Sequence, residues 1–322
     1  MDRIEKYQTL IIFVAMPIGL LFGLAQPVEQ YAENFIIPFL FLMLFGVFLN
    51  IPLKNIGKAF TNIKFTGTTV AINFLFAPLL AWLLGRIFLS NAPILQIGFI
   101  MIMVTPCTDW YLVFTSKAKG NLPLSASVLP SNLILQVVML PIYLLAFAGV
   151  QGSADIQEIL VSIAIMLILP FALAQIGKFL LGKVQNESIN KKVSDTFGSL
   201  QTILLALAIM AMFASKGRSL LANLNVVVSV FVPIVLFFIV IFVLCQIVGK
   251  CLRYSYEDTA SLTLTTSAKN ALLTLGVALM VFPDEPLIHL MMVIEPLIEL
   301  PILTLKTKVL LAIRNSNRHS NQ

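Results

Sequence analysis

Charged side chains are scarce in this 322-residue sequence: Asp, Glu, Lys and Arg make up 11% of it, against 59% hydrophobic residues. A water-soluble domain is closer to 25% charged and 45–50% apolar, so a soluble enzyme or binding domain is excluded. Cysteine is limited to Cys107, Cys245 and Cys251, all in or beside apolar stretches, a pattern without a disulfide framework or a zinc site. The two histidines, His289 and His319, are isolated, so neither a metal site nor a cofactor is expected. An intramembrane enzyme would need a nucleophile–base or metal constellation, and neither an HExxH helix nor a GxSxG elbow occurs. The start, MDRIEKYQTL, lacks the h-region and cleavage site of a removable signal peptide, so the first apolar segment is expected to stay as an anchor.

Long apolar runs are what the sequence has. They fall at about 9–25, 35–50, 66–89, 94–116 and 122–149, then at about 156–181, 197–215, 222–249, 259–282 and 287–313. A spanning helix needs about 20 mostly apolar residues, so the expectation is an all-α membrane protein with ten transmembrane helices. Charge then sets its orientation. Seventeen of the 21 Lys and Arg fall in the N-terminal stub, alternate loops and the C-terminal tail, with Lys306 and Lys308 counted there. The opposite loops hold only Arg86, Lys216 and Arg218, beside the acidic Glu29, Glu33, Asp155, Asp284 and Glu285. Cytoplasmic loops carry the excess of positive charge, so both termini are expected in the cytoplasm of a multi-pass cell-membrane protein. That leaves Lys269, inside a span.

Ten spans with both ends on one side divide into halves of five, 1–150 and 151–322, the second starting from the opposite face. This is the arrangement of two inverted five-helix repeats. The fourth segment of each half is broken by polar residues. In segment four the apolar run stops at Thr105, Pro106, Cys107, Thr108 and Asp109. Proline lacks an amide hydrogen and frees a carbonyl in the turn before it, and irregular backbone at membrane depth needs cover from protein or a water-filled cavity. In segment nine the block Thr263, Thr265, Thr266, Ser267, Lys269 and Asn270 is polar for the middle of a span. Lys269 lies some ten residues in, about 15 Å at helical rise, and an ammonium so deep needs a partner. Asp109 is the obvious candidate, and the pair is expected to serve coupling. Asn73 precedes Phe-Leu-Phe-Ala-Pro in segment three. Asn132 and Gln136 are one turn apart in segment five, as are Glu295 and Glu299 in segment ten. Two carboxyls in one span turn away from lipid, where they relay protons or pair with buried donors. Gly120 and Asn121, after Lys117 and Lys119, read as a helix-ending turn.

At these residues the sequence resembles the bile acid/sodium symporter superfamily, particularly its arsenite-efflux permease branch. The likeness runs through VAINFLFAPLLAWLLGRIFL with Asn73 and Pro78, Cys107 with Gly120 at the family's spacing, and Asn132 with Gln136. It continues through Asn270 to EPLIELP, with Pro296, Leu297, Glu299 and Pro301. The resemblance implies that broken helices four and nine cross at the midplane in a core domain beside a panel domain. With it, Cys107, Thr108, Asn73, Asn132, Gln136 and Asn270 are expected to bind substrate. Asp109, Lys269, Glu295 and Glu299, charged inside spans, are expected to serve coupling, Asp109 and Lys269 being departures from the neutral or apolar residues of the arsenite branch. There are departures. Ala271, Leu272 and Leu273 are apolar where the arsenite branch has an acidic residue, and Thr265 stands where the sodium-coupled branch has a glutamate. Hard cations want anionic oxygen ligands, so the expectation is proton-coupled efflux of arsenite or a related small solute. The alternative is a sodium-coupled symporter of organic anions.

Overall fold

In the computed structural model, residues 3–50, 62–107, 110–148, 157, 161, 164–183, 187–282 and 285–319 are described. Thr108 and Asp109 lie outside them, so the expected pairing of Asp109 with Lys269 does too. Every regular element among the described residues is helical. The helices are α1 (Arg3–Phe22), α2 (Gln26–Asn50), α3 (Ile63–Ala71), α4 (Ala77–Phe88), α5 (Pro93–Met103), α6 (Trp110–Lys117) and α7 (Leu122–Ala148). After them come α8 (Leu169–Lys183), α9 (Glu187–Ala222), α10 (Leu224–Cys251), α11 (Tyr256–Ser267), α12 (Ala271–Val281) and α13 (Pro286–His319).

Among the described residues, five stretches are long and apolar enough to cross a membrane: Gln26–Gly46, Ile63–Phe88, Ile203–Ala222, Asn225–Cys251 and Pro286–Ser316. A sixth is a pair, Leu122–Gln136 and Val138–Ala146, bent by 48°. Pro141 lies four residues beyond the bend at Val137, where its ring clashes with that residue's carbonyl and its missing amide leaves it unbonded. The molecule is thus a multi-pass helical membrane protein. Segments four and nine do not appear among the long spans because each is two short helices, α5 with α6 and α11 with α12.

The chain falls into two compact units. One gathers residues from 1–52, 153–224 and 272–293, the other from 53–152, 225–271 and 294–322. Both take pieces from early and late in the chain, so they are contact units and have no bearing on the division into five-helix halves.

In the first unit, α9 packs along α1 and α2. Gly19 near the end of α1 and Gly23 just past it face the backbone of α9, and a Cβ at either would run into the carbonyl of Met210 or Ala214. Small residues at such spacing let two backbones approach in a medium that provides no hydrophobic drive between helices. Nearby, Lys216 pairs with Glu33 at 2.6 Å and Arg218 with Glu29 at 3.2 Å. Two of the three basic residues assigned to the outer loops are therefore matched by acids assigned to another loop of the same side.

In the second unit, Asn62 caps α3 by accepting from the Phe65 amide at 3.1 Å, and Ser255 caps α11 through the Asp258 amide at 3.1 Å. The turn expected at Gly120 is present. Lys119 is left-handed (φ 57°), and the Gly120 amide closes back on the Thr115 carbonyl at 2.9 Å. Asn121 then caps α7 and reaches Asp258 Oδ1 at 2.8 Å, tying this turn to the first turn of α11.

Candidate functional site

The second unit contains both helix breaks, and they meet. Helix α5 ends at Met103 and α11 at Ser267. Residues 105–107 and 268–270 then run antiparallel for one short step. The Cys107 amide donates to the Ala268 carbonyl at 2.9 Å, and the Asn270 amide to the Thr105 carbonyl at 3.0 Å. Backbone groups released from two helices satisfy each other, as groups away from water must. Pro106 accounts for the first break. The second contains neither proline nor glycine; what unwinds it is the pairing with the first, together with Glu299, whose Oε1 accepts from the Lys269 amide at 2.7 Å.

Lys269, Glu295 and Glu299 are all buried, at 1%, 0% and 0% exposure. Lys269 does not reach a surface. Its ammonium donates to the Thr266 carbonyl at 3.2 Å and sits 5.0 Å from the centre of the Phe237 ring. Both carboxyl oxygens of Glu295 and Oε2 of Glu299 have no hydrogen-bond partner among the described residues. Bare buried carboxylates cost several kcal/mol each, so these oxygens are where a proton or cation is most strongly drawn.

One residue corrects the charge assignment. Lys306, counted above among the cytoplasmic charges, is 5% exposed, bonds Ser267 Oγ at 2.6 Å and lies 5.0 Å from the centre of the Phe238 ring. The orientation signal survives as sixteen basic residues against three. The reason is facial. Glu295, Glu299 and Lys306 are spaced i, i+4 and i+11 on one helix, which puts them on one face. That spacing was readable in the sequence. Cys245 was named there only as apolar, yet its sulfur is buried 3.2 Å from Thr266 Oγ1, beside the same break.

A second polar group lies on α7 and the turn joining α3 to α4. That turn, Ile72–Phe76, is π-helical, a widening that often marks functional positions. Proline at 78 removes the amide that would bond the Phe74 carbonyl in an α-helix, and the Tyr143 hydroxyl donates to that carbonyl instead, at 2.5 Å. The widened turn includes Asn73, whose Nδ2 donates to Asn132 Oδ1 at 3.5 Å. Asn73 Oδ1, Asn132 Nδ2 and both amide atoms of Gln136 have no partner among the described residues, although all three side chains are buried. Buried amides left open cost about 1–3 kcal/mol per group. The structure thus joins Asn73 to Asn132, with Gln136 one turn along α7. It joins Cys107 and Asn270 to the opposite break, and Lys269 to Glu299.

Over most of its length the chain is similar to several known proteins. It is 23% identical to the arsenical-resistance protein Acr3 of Corynebacterium glutamicum over 93% of this chain and 86% of that one. An uncharacterized transporter of Synechocystis is 22% identical, with 96% and 88% covered. The uncharacterized protein YbaS of Bacillus subtilis is also 22% identical, with 66% and 68% covered. The family model of the sodium bile acid symporters matches residues 37–223, more than half of the chain and inclusive of the first break, Asn73, Asn132 and Gln136. With that match added to the paired helix breaks, this protein belongs to the sodium bile acid symporter family.

Proposed function

We propose that the chain is a proton-coupled secondary transporter that exports arsenite or a related small solute, a small molecule or oxyanion, across the cell membrane. The observation that carries this reading is the cluster at the paired breaks, where Cys107 adjoins the segment of Lys269 that Glu299 holds. Arsenite near neutral pH is an uncharged trihydroxide with an affinity for thiols. One thiol exchanges for one hydroxyl, forming an As–S bond and releasing water, and a single such bond is readily reversed. Cys107 would make that bond, Asn73, Asn132, Gln136 and Asn270 would hold the remaining hydroxyls, and Thr108 would complete the pocket. The Glu295–Glu299 pair, one turn apart and short of donors, would carry the coupling proton, with Asp109 and Lys269 as charge partners.

In this reading the chain has ten spans in two inverted repeats, 1–150 and 151–322. Helices four and nine cross at the midplane, and both termini are cytoplasmic. The similarity to an arsenical-resistance protein supports the substrate, and the absence of a glutamate at Thr265 supports protons over sodium. The family's name favours a second reading, sodium-coupled symport of an organic anion.

The deciding experiment is arsenite uptake into everted vesicles with and without an imposed proton gradient, beside Cys107→Ala. Gradient-driven accumulation that is lost in the variant is the expected result. No accumulation by correctly folded wild-type protein removes arsenite as substrate, and sodium-dependent uptake of an organic anion would put the second reading in its place.

A further inference from the structure

We infer that the C-terminal end of α11 is a monovalent-cation site filled by the chain's own lysines, with Lys306 as the tethered stand-in for a sodium ion.

The last carbonyls of a helix carry the negative end of its dipole and attract cations. In carriers built from broken helices, the C-terminal end of a half-helix inside the bundle is a place where the coupling ion is held. Helix α11 ends in this way, at Ser267, with every residue from Ala260 to Ser267 buried. Around its end stand several oxygens: the Thr266 carbonyl, Ser267 Oγ and the carboxyl of Glu299, with Glu295 one turn earlier on α13, beside the Cys245 sulfur. Oxygen donors that include carboxylates are the set a hard cation requires.

Two ammonium groups occupy that set. Lys269 Nζ takes the Thr266 carbonyl, and Lys306 Nζ takes Ser267 Oγ at 2.6 Å. Each also lies 5.0 Å from the centre of a phenyl ring, Phe237 for Lys269 and Phe238 for Lys306, the cation–π placement that holds a desolvated charge. Neighbouring residues of α10 thus seat both lysines. The carboxyl oxygens of Glu295 and Oε2 of Glu299 have no donor among the described residues, so the negative side of the cluster retains capacity for a cation.

Lys306 is the separable member. The backbone of Lys269 is part of the paired breaks, whereas Lys306 projects from an uninterrupted stretch of α13 and contributes only its side chain. Removing its ammonium takes away one positive charge, leaves Ser267 Oγ without its donor and opens the space of the butyl stem. A sodium ion has the same charge and prefers the same oxygens. The inference takes from the proposed function only that the wild-type carrier needs no sodium.

The test reads sodium binding without any substrate. Thermal unfolding of the purified full chain in detergent is followed as sodium chloride replaces choline chloride at constant ionic strength, for wild type, Lys306→Arg, Lys306→Ala and Lys306→Ser. Wild type and Lys306→Arg are expected to show no sodium effect. Lys306→Ala is expected to gain a saturable, sodium-specific rise of roughly 2 °C or more. Lys306→Ser, which adds a hydroxyl ligand and a second chance of a folded variant, is expected to do the same. Monodisperse Lys306→Ala and Lys306→Ser with no sodium response would overturn the inference, and so would a sodium response in wild type. Silent variants leave the arsenite reading standing, and a failure of arsenite transport leaves this inference standing as long as wild-type uptake does not depend on sodium.

Discussion

Replacing Glu299 separates the structural from the transporting role of one side chain. Its Oε1 accepts from the Lys269 amide at 2.7 Å, with both residues buried. A hydrogen bond to a charged group is worth about 1.5–3 kcal/mol and a neutral one about 1 kcal/mol. Glu299→Gln keeps an acceptor oxygen in the same place, so its cost should stay near 1 kcal/mol. Glu299→Ala leaves the amide unpaired, at about 1–3 kcal/mol, and adds a cavity where the side chain was. Together these give about 3 kcal/mol or more. Transport should not follow stability. A carboxamide cannot exchange a proton, so Glu299→Gln should fall at least tenfold in gradient-driven uptake by everted vesicles while unfolding within a few degrees of wild type. Gradient-driven uptake by Glu299→Gln within twofold of wild type would refute the proton role. Equal destabilisation by Gln and Ala would refute the hydrogen-bond account.

Tyr143→Phe strips the Phe74 carbonyl of its donor and should cost about 2 kcal/mol in thermal unfolding. The same change in a Pro78→Ala background, which supplies an amide, should cost less than half as much, a coupling that a double-mutant cycle reads directly. Gly23→Ala drives a methyl into the Ala214 carbonyl and should destabilise by about 2 kcal/mol or more. Gly67→Ala, with nothing within 4 Å of the added carbon, should be neutral or stabilising by up to about 1 kcal/mol. Cys251 is exposed while Cys107 and Cys245 are buried. A membrane-impermeant maleimide should therefore label Cys251 in everted vesicles and not in right-side-out ones; the reverse pattern would invert the proposed orientation.

The sequence made some of this site legible and hid the rest for physical reasons. Pro106 announced the first break because proline acts locally, on its own turn. The second break was visible only as polarity. Nothing in Ala268, Lys269 or Asn270 forbids a helix, and what ends α11 is a partner 163 residues away in the chain, Pro106 against Lys269. The widened turn at Asn73 was hidden too, although its cause, Pro78, was in plain view. A proline four residues downstream leaves a carbonyl free, but that Tyr143 takes it depends on tertiary packing. Lys306 was misassigned because the loop-charge rule treats a lysine near the end of a span as cytoplasmic. The face it shares with Glu295 and Glu299 pointed the other way. The five long helices were legible throughout, since apolar length is a local property. Their exact ends were not: α2 begins at Gln26, well before the apolar run near 35.

The paired breaks are fastened to each other through main-chain atoms. Cys107 and Asn270 contribute amides, Ala268 and Thr105 carbonyls, and neither of these two bonds depends on what the side chain is. Selection can therefore rewrite the chemistry at the crossing without dismantling it. A thiol, an ammonium or a carboxamide can be exchanged for another group while the frame that presents it stays closed. A carrier built this way can change cargo or driving ion by point substitution, which makes the crossing a durable chassis and its side chains replaceable fittings.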